Sequence, residues 1–182
     1  KANGAFIVLA VVIVIGGIIG WDYYKSHKQD ALATQAMNYY TFEQALENGQ
    51  LDETAAQAIL SNSTSEGFKD LVMLQKAAFA ANQNDLDAAI AELQSQLNHV
   101  KDAAMKDLFR YRLAVLLYEK KDYASAMVEL NHIKTDSYKG LVKSLQGDIY
   151  VQEGRLDNAK TVYTEAFEIL QSPVIQRKIN QL

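Results

Sequence analysis

The sequence predicts an all-α chain: an N-terminal transmembrane helix, followed by an α-solenoid of about three degenerate helical hairpins with capping helices. Three observations predict it. An unbroken apolar run fills residues 5–20, helix-forming residues dominate the remainder with one proline in 182 residues, and three stretches of that remainder repeat one another without gaps.

The apolar run comes first. From Ala5 to Gly20 every residue is apolar or glycine, and extension to Ala2 and Trp21 admits only Asn3 as a polar group. Roughly twenty such residues cross the hydrocarbon core of a bilayer. Trp21, Tyr23 and Tyr24 follow, then Lys25 and Lys28. Amphipathic rings and then cations is the order in which side chains meet the headgroup layer. Residues 1–24 are therefore the expected anchor, with Trp21, Tyr23, Tyr24 and Lys25 at the membrane interface. A cleavable leader fits poorly, because Trp21-Asp22-Tyr23-Tyr24 stands where small residues precede a cut. The Gly16-xxx-Gly20 spacing allows two such helices to pack closely, which leaves a homodimer open. Lys1 is not a methionine, so a stretch upstream of it is expected. The two lysines after the span favour a cytoplasmic C-terminal side, a more basic upstream stretch reverses that, and the visible charges leave orientation open.

Residues 25–50 read as a juxtamembrane helix. No proline or glycine interrupts Trp21 to Asn48, and Gly49 supplies a terminator. Whether residues 21–48 form one continuous helix stays open. Residues 51–182 read as the repeat domain, entered by a short helix over 51–60 and the turn-rich Ser61–Ser65. Ser172-Pro173, a cap and a first-turn proline, opens a final helix that ends at Leu182.

Within the domain, Asn84–Leu93, Lys121–Leu130 and Gly154–Tyr163 align. In each, a polar turn leads to Leu86, Tyr123 or Leu156. An alanine follows three residues on (Ala89, Ala126, Ala159), and a large apolar residue four further (Leu93, Leu130, Tyr163). The alanines stand 37 and 33 residues apart, and Ala77, Ala114 and Gly147 lie twelve positions before them. Apolar residues at helical spacing, such as Leu108, Tyr111, Val115 and Tyr118, precede the turn. The unit is helix, short turn, helix, and neither helix buries its stripe alone. It resembles the tetratricopeptide repeat: Gly147, Tyr150, Gly154, Leu156, Ala159, Tyr163 and Ala166 occupy that repeat's signature positions. The chain departs from the pattern where Lys143 or Arg110 replaces the early tryptophan, and where the closing proline is absent.

Composition excludes several classes of function. The net charge of −4 divides unevenly: Lys1, Lys25 and Lys28 against Asp22 leave residues 1–29 at +2 and the rest at −6. An acidic domain without a basic patch does not suit nucleic acid. Without cysteine there is no disulfide, thiolate metal site or cysteine nucleophile. His27, His99 and His132 are isolated, and no metal-binding, phosphate-loop or nucleophile-elbow motif occurs. No catalytic, cofactor-binding or metal-binding residue is expected.

In a tetratricopeptide stack the first helix of each pair lines the concave face. The resemblance assigns that face to Leu71, Leu74, Leu108, Tyr111, Val115, Tyr118, Leu141, Asp148 and Val151, with Ala78 and Ser144 among them. The Lys, Arg and Asn set with which related domains clamp a carboxylate is missing. A largely apolar groove suits a helix or an extended hydrophobic segment. In the alternative reading a terminal helix fills the groove and these residues are ordinary core.

The single span, the Tyr- and Ala-rich juxtamembrane helix and the three repeats together resemble the YfgM family. The junction Gly20-Trp21-x-Tyr23-Tyr24-x-Ser26-His27 and the ending Ser172-Pro173…Lys178-Ile179-Asn180-x-Leu182 add to the likeness. The resemblance implies a single-pass protein of the bacterial inner membrane, with a short cytoplasmic tail and a periplasmic domain. It also implies an ancillary subunit of the Sec translocon, working beside a membrane-anchored periplasmic chaperone (PpiD-like) in the handover of emerging chains. Expected partners are the lipid bilayer, Sec translocon subunits and that chaperone. The rival readings are an adaptor or self-associating scaffold of another envelope assembly, and an organelle import receptor facing the cytosol.

Overall fold

The structure, a computed structural model, describes residues 33–63 and 65–182, and every regular element among them is helical. The expected anchor, its interface residues Trp21, Tyr23, Tyr24 and Lys25, and the Gly16/Gly20 pair lie outside the described residues. Among the described residues no helix is long and apolar enough to cross a membrane. The chain divides into two compact units, Lys1–Thr64 and Ser65–Leu182.

The described residues of the first unit form two successive helices. Helix α1 covers the described residues 33–47 and is closed by Gly49 at φ +70°. The Gly49 and Gln50 amides donate to Leu46 O and Ala45 O, both at 2.9 Å. Asp52 then caps α2 (Glu53–Asn62) by accepting from the Ala55 amide at 2.9 Å. This cap sets the start of α2 two residues later than the expected 51, and the helix runs on through Ser61 and Asn62. Phe42, Ala56 and Ile59 are buried.

The second unit comprises α3 (Glu66–Asn82), α4 (Leu86–Leu97), α5 (Ala103–Glu119), α6 (Tyr123–His132), α7 (Lys139–Gln152), α8 (Leu156–Leu170) and α9 (Pro173–Asn180). α3 pairs with α4, α5 with α6 and α7 with α8, while α5 also touches α3 and α7. The first helices of the three hairpins therefore stand side by side, as the repeat reading expects.

The aligned turns share one backbone conformation. Asn84 (φ +63°), Lys121 (φ +66°) and Gly154 (φ +72°) each lie five residues before a key alanine. Only glycine enters this left-handed region without a Cβ clash. Beyond it, the amides of Asp85, Asp122 and Arg155 donate to the carbonyls of Ala80, Leu117 and Tyr150 at 2.9, 2.9 and 2.8 Å. These bonds satisfy carbonyls that the ending helix leaves unpaired. Asp85 and Asp122 also cap the next helix, accepting from the amides of Ala88 and Ser125. Arg155 makes no such cap; its guanidinium lies 4.4 Å over the Tyr150 ring.

The small residues sit where paired helices come closest. Ala77, Ala89, Ala114, Ala126 and Ala159 are buried, as are the aligned Leu93, Leu130 and Tyr163. At Gly147 an added Cβ would collide with the Tyr163 ring, which lies flush against the α7 backbone. Around the seams of the first two hairpins, Phe109, Leu113, Leu117, Leu130 and Ile149 build one continuous core.

A buried carboxylate holds the link between hairpins. Asp107 of α5 is 4% exposed, and its Oδ2 accepts from the Lys134 and Thr135 amides, both at 2.9 Å. Arg110, one turn on, donates to His132 O at 2.7 Å and lies 3.8 Å from Asp107 Oδ1. The connection from α6 to α7, with its 3₁₀ turn Asp136–Tyr138, is thereby tied to α5. Burial works to raise the Asp107 carboxyl, but the amide donors of Lys134 and Thr135, with Arg110 beside it, hold it below its usual range.

Three substitutions test these elements. Lys121→Gly removes the left-handed strain and is expected to raise stability by about 0.5–1 kcal/mol in thermal melts. Gly147→Ala forces the Tyr163 ring off α7 and is expected to cost about 1–3 kcal/mol. The third, Asp107→Asn, weakens the link by about 1–3 kcal/mol at neutral pH. Because the folded carboxyl titrates below the unfolded one, its contribution is complete above the unfolded pKa and fades as pH falls through the folded pKa. Urea melts should therefore show a smaller acid-side loss in Asp107→Asn than in the unmodified chain.

Candidate partner-binding groove

Helical spacing places Leu71, Leu74 and Ala78 on one face of α3, and Leu108, Arg112 and Val115 on one face of α5. The two faces border a cleft of about 470 Å³, whose lining also includes Ala77, Ala81 and, from α4, Leu93. Leu71 is 38% exposed, while Leu74, Leu108 and Val115 are half-buried. Leu74 and Val115 touch the core as well as lining the cleft, which fixes the walls while leaving apolar surface open. Among the described residues no carboxylate lines this space.

The other expected groove residues lie elsewhere. Tyr111 packs beside Tyr138, with ring centroids 6.1 Å apart, and Tyr118 beside Tyr123 at 5.7 Å. Asp148 is engaged within the chain: its Oδ1 accepts from Tyr163 Oη at 2.6 Å and from Lys178 Nζ at 2.5 Å. The Lys178 ammonium also lies 5.5 Å from the centre of the Tyr163 ring. Val151 packs against the cluster that Tyr163 and Ala166 form with Ile175 of α9. Leu141 is 37% exposed and does not line the cleft. The terminal helix thus occupies the Asp148 and Val151 end of the expected face, whereas no α9 residue lines the α3–α5 cleft.

Burial, followed by the Asp148 carboxylate that its hydroxyl faces, drives the Tyr163 pKa far above the usual phenol range. Burial also raises Tyr111 and Tyr118, with Asp148 adding to both and Arg112 opposing the shift at Tyr111. All three phenols are neutral at physiological pH, so this end of the face offers hydroxyl donors and one carboxylate already satisfied by two partners. Among the described residues no group of three or more His, Asp or Glu gathers to hold a metal.

Arg112 and Lys178 are absent from the sequence-derived set. Arg112 was accessible to spacing, since it lies four residues after Leu108 and three before Val115 on the same helical face. Lys178 carries no such signal, because its partner Asp148 lies 30 residues upstream on another helix.

Comparison with known proteins finds relatives for the whole chain. The family model described as tetratricopeptide repeat-like domain matches residues 1–182. The "Ancillary SecYEG translocon subunit" of Escherichia coli (strain K12) is 26% identical over 184 residues, covering 99% of this chain and 89% of that protein. The protein of the same name from Haemophilus influenzae is 26% identical over 189 residues, covering 100% and 91%. That from Aggregatibacter actinomycetemcomitans is 28% identical over 187 residues, covering 99% and 90%. These relatives bear out the YfgM resemblance over the full chain. No solved structure matches the chain.

The clasp at Asp148 makes its own prediction. Tyr163→Phe removes one of its two donors and is expected to cost about 1 kcal/mol in denaturant melts. Lys178→Met should increase amide exchange in α9 selectively, while α3 to α6 keep their protection.

Proposed function

The chain belongs to the tetratricopeptide repeat-like domain family over its whole length, and on that premise we propose that it is a non-catalytic, membrane-anchored protein-binding module of the Sec translocon. Residues 1–24 serve as the anchor, 25–50 as the juxtamembrane helix and 51–182 as the binding domain, which faces the periplasm. There it receives apolar segments of emerging chains and assists their handover, beside a membrane-anchored chaperone of the PpiD type.

One observation carries the binding role: a cleft of about 470 Å³ walled by Leu71, Leu74, Leu108 and Val115 that the terminal helix leaves unlined. Apolar surface of this kind persists on a folded domain where a partner covers it. The anchor contributes by concentration, since a groove held at the membrane meets segments leaving the translocon at high effective concentration. The names of the relatives support the translocon as the place of action.

The test is isolation of the full-length protein from membranes in mild detergent, with a photo-reactive side chain at Leu74 or Leu108 and mass spectrometry of the cross-linked partners. Translocon subunits and a membrane-anchored chaperone are the expected products. A different envelope assembly would keep the groove and remove the translocon. Protease accessibility in intact cells and in spheroplasts reads the orientation. Leu108→Glu puts a charge into the apolar wall and should lower recovery of partners at least roughly tenfold, with an unchanged helical circular-dichroism spectrum. A cross-linking pattern indifferent to Leu108→Glu would remove the cleft as the binding surface.

A further inference from the structure

Arg112 is the residue of the cleft that the groove reading does not use. It lies on the α5 wall between Leu108 and Val115, exposed, and makes no ion pair among the described residues. Two of the other three arginines are engaged: Arg110 holds His132 O and Asp107, and Arg155 holds Glu153 and lies over Tyr150. The other polar side chains of the lining, Gln75 and Asn82, carry no charge. An apolar cleft in a domain of net charge −3 over residues 51–182 thus presents a cation with no ion-pair partner among the described residues.

We infer that the α3–α5 cleft selects apolar protein segments that carry an acidic side chain, placed so that its carboxylate meets Arg112 as the flanking apolar residues enter between Leu74 and Leu108. The inference rests on the groove reading above and names the chemistry of the occupant. Its physical basis is desolvation. While the cleft is empty the guanidinium is hydrated and costs nothing. A segment that covers it removes that water, and an uncompensated cation beside leucine and alanine walls is costly. A wholly apolar occupant therefore meets a penalty at Arg112, whereas a carboxylate makes a charge-assisted, geometrically matched fork pair in a medium of reduced dielectric. Selection arises as much from rejecting the uncharged segment as from attracting the charged one. A lysine- or arginine-bearing segment is repelled.

The experiment uses the full-length protein in lipid nanodiscs, with empty nanodiscs as the blank. Two synthetic amphipathic peptides with a leucine stripe serve as probes, identical except for a glutamate or a glutamine between two leucines of that stripe. Anisotropy titration is expected to give tighter binding of the glutamate peptide by roughly three- to tenfold, declining with added salt. Arg112→Gln should erase the difference, weakening the glutamate peptide and tightening the glutamine peptide as the desolvation penalty disappears, and Arg112→Lys should retain part of the difference. Arg112 is exposed, so both variants should fold, and thermal melts verify it. Equal binding of both peptides to the unmodified protein, or a preference that survives Arg112→Gln, overturns the acidic-segment inference and leaves the groove reading intact. Failure of both peptides to bind overturns the inference and the groove reading together. Cross-linking at Leu108 to a second copy of the chain in place of peptide makes the occupant this protein itself, and likewise overturns the inference.

Discussion

The hairpins of the second unit close on residues too small to hold the facing helix away, and the third hairpin carries this furthest, with no side chain at all at Gly147. The Tyr163 ring fills the vacated volume and lies against the α7 backbone. From there its hydroxyl reaches Asp148, and Asp148 in turn receives Lys178 from α9. A side chain at position 147 would break the series at its first step, because the ring could no longer deliver its hydroxyl to the carboxylate. In the first two hairpins the buried Ala77, Ala89, Ala114 and Ala126 allow the same approach with a methyl group retained. Close seams within each hairpin fix the rotation of α3 and α5 about their axes. That rotation turns Leu74 and Leu108 toward a shared cleft instead of burying them.

Much of this architecture was legible in the sequence, because it follows from short-range spacing. The alanines at 89, 126 and 159, the small residues twelve positions earlier and the polar turns between them are local patterns, and each lies where the spacing placed it. The turn residues shared one backbone conformation although only Gly154 announces it; Asn84 and Lys121 adopt positive φ because the tertiary fold over-determines the turn. Less legible were interactions whose partners are distant and of a different kind. Asp107 reads as one more acidic residue in an amphipathic helix, yet it is buried against backbone amides 27 and 28 residues away. Backbone donors leave no trace in side-chain identity, so no spacing rule could have paired them. The expected concave face is carried over from the tetratricopeptide resemblance, with a terminal helix in the groove as the alternative, and neither says how far that helix reaches: α9 arrives on Asp148 and Val151 alone of that set.

The two ends of that face illustrate how one repeat pattern yields two surfaces. Where α9 is available, the exposed stripe of the preceding hairpin is converted to interior, and a polar clasp of Tyr163, Asp148 and Lys178 marks the boundary. Between α3 and α5 no α9 residue lines the space, and the same kind of stripe remains as a cleft. A solenoid needs a cap on a hydrophobic end. In this chain the cap reaches past the end of the stack onto the first helix of its last hairpin, and it limits how far along the face a long apolar segment can be accommodated.

That cap is also brief and lightly held. α9 spans eight residues and packs chiefly on α8, with Ile175 as its buried residue and Lys178 as its reach across to α7. In a stack whose members contact only their neighbours, opening proceeds from the end at a free energy well below that of the whole. The chain should therefore behave like a zipper that opens from α9: peeling that helix away bares Tyr163, Val151 and Ile175 together, a greasy patch on show long before the earlier hairpins let go.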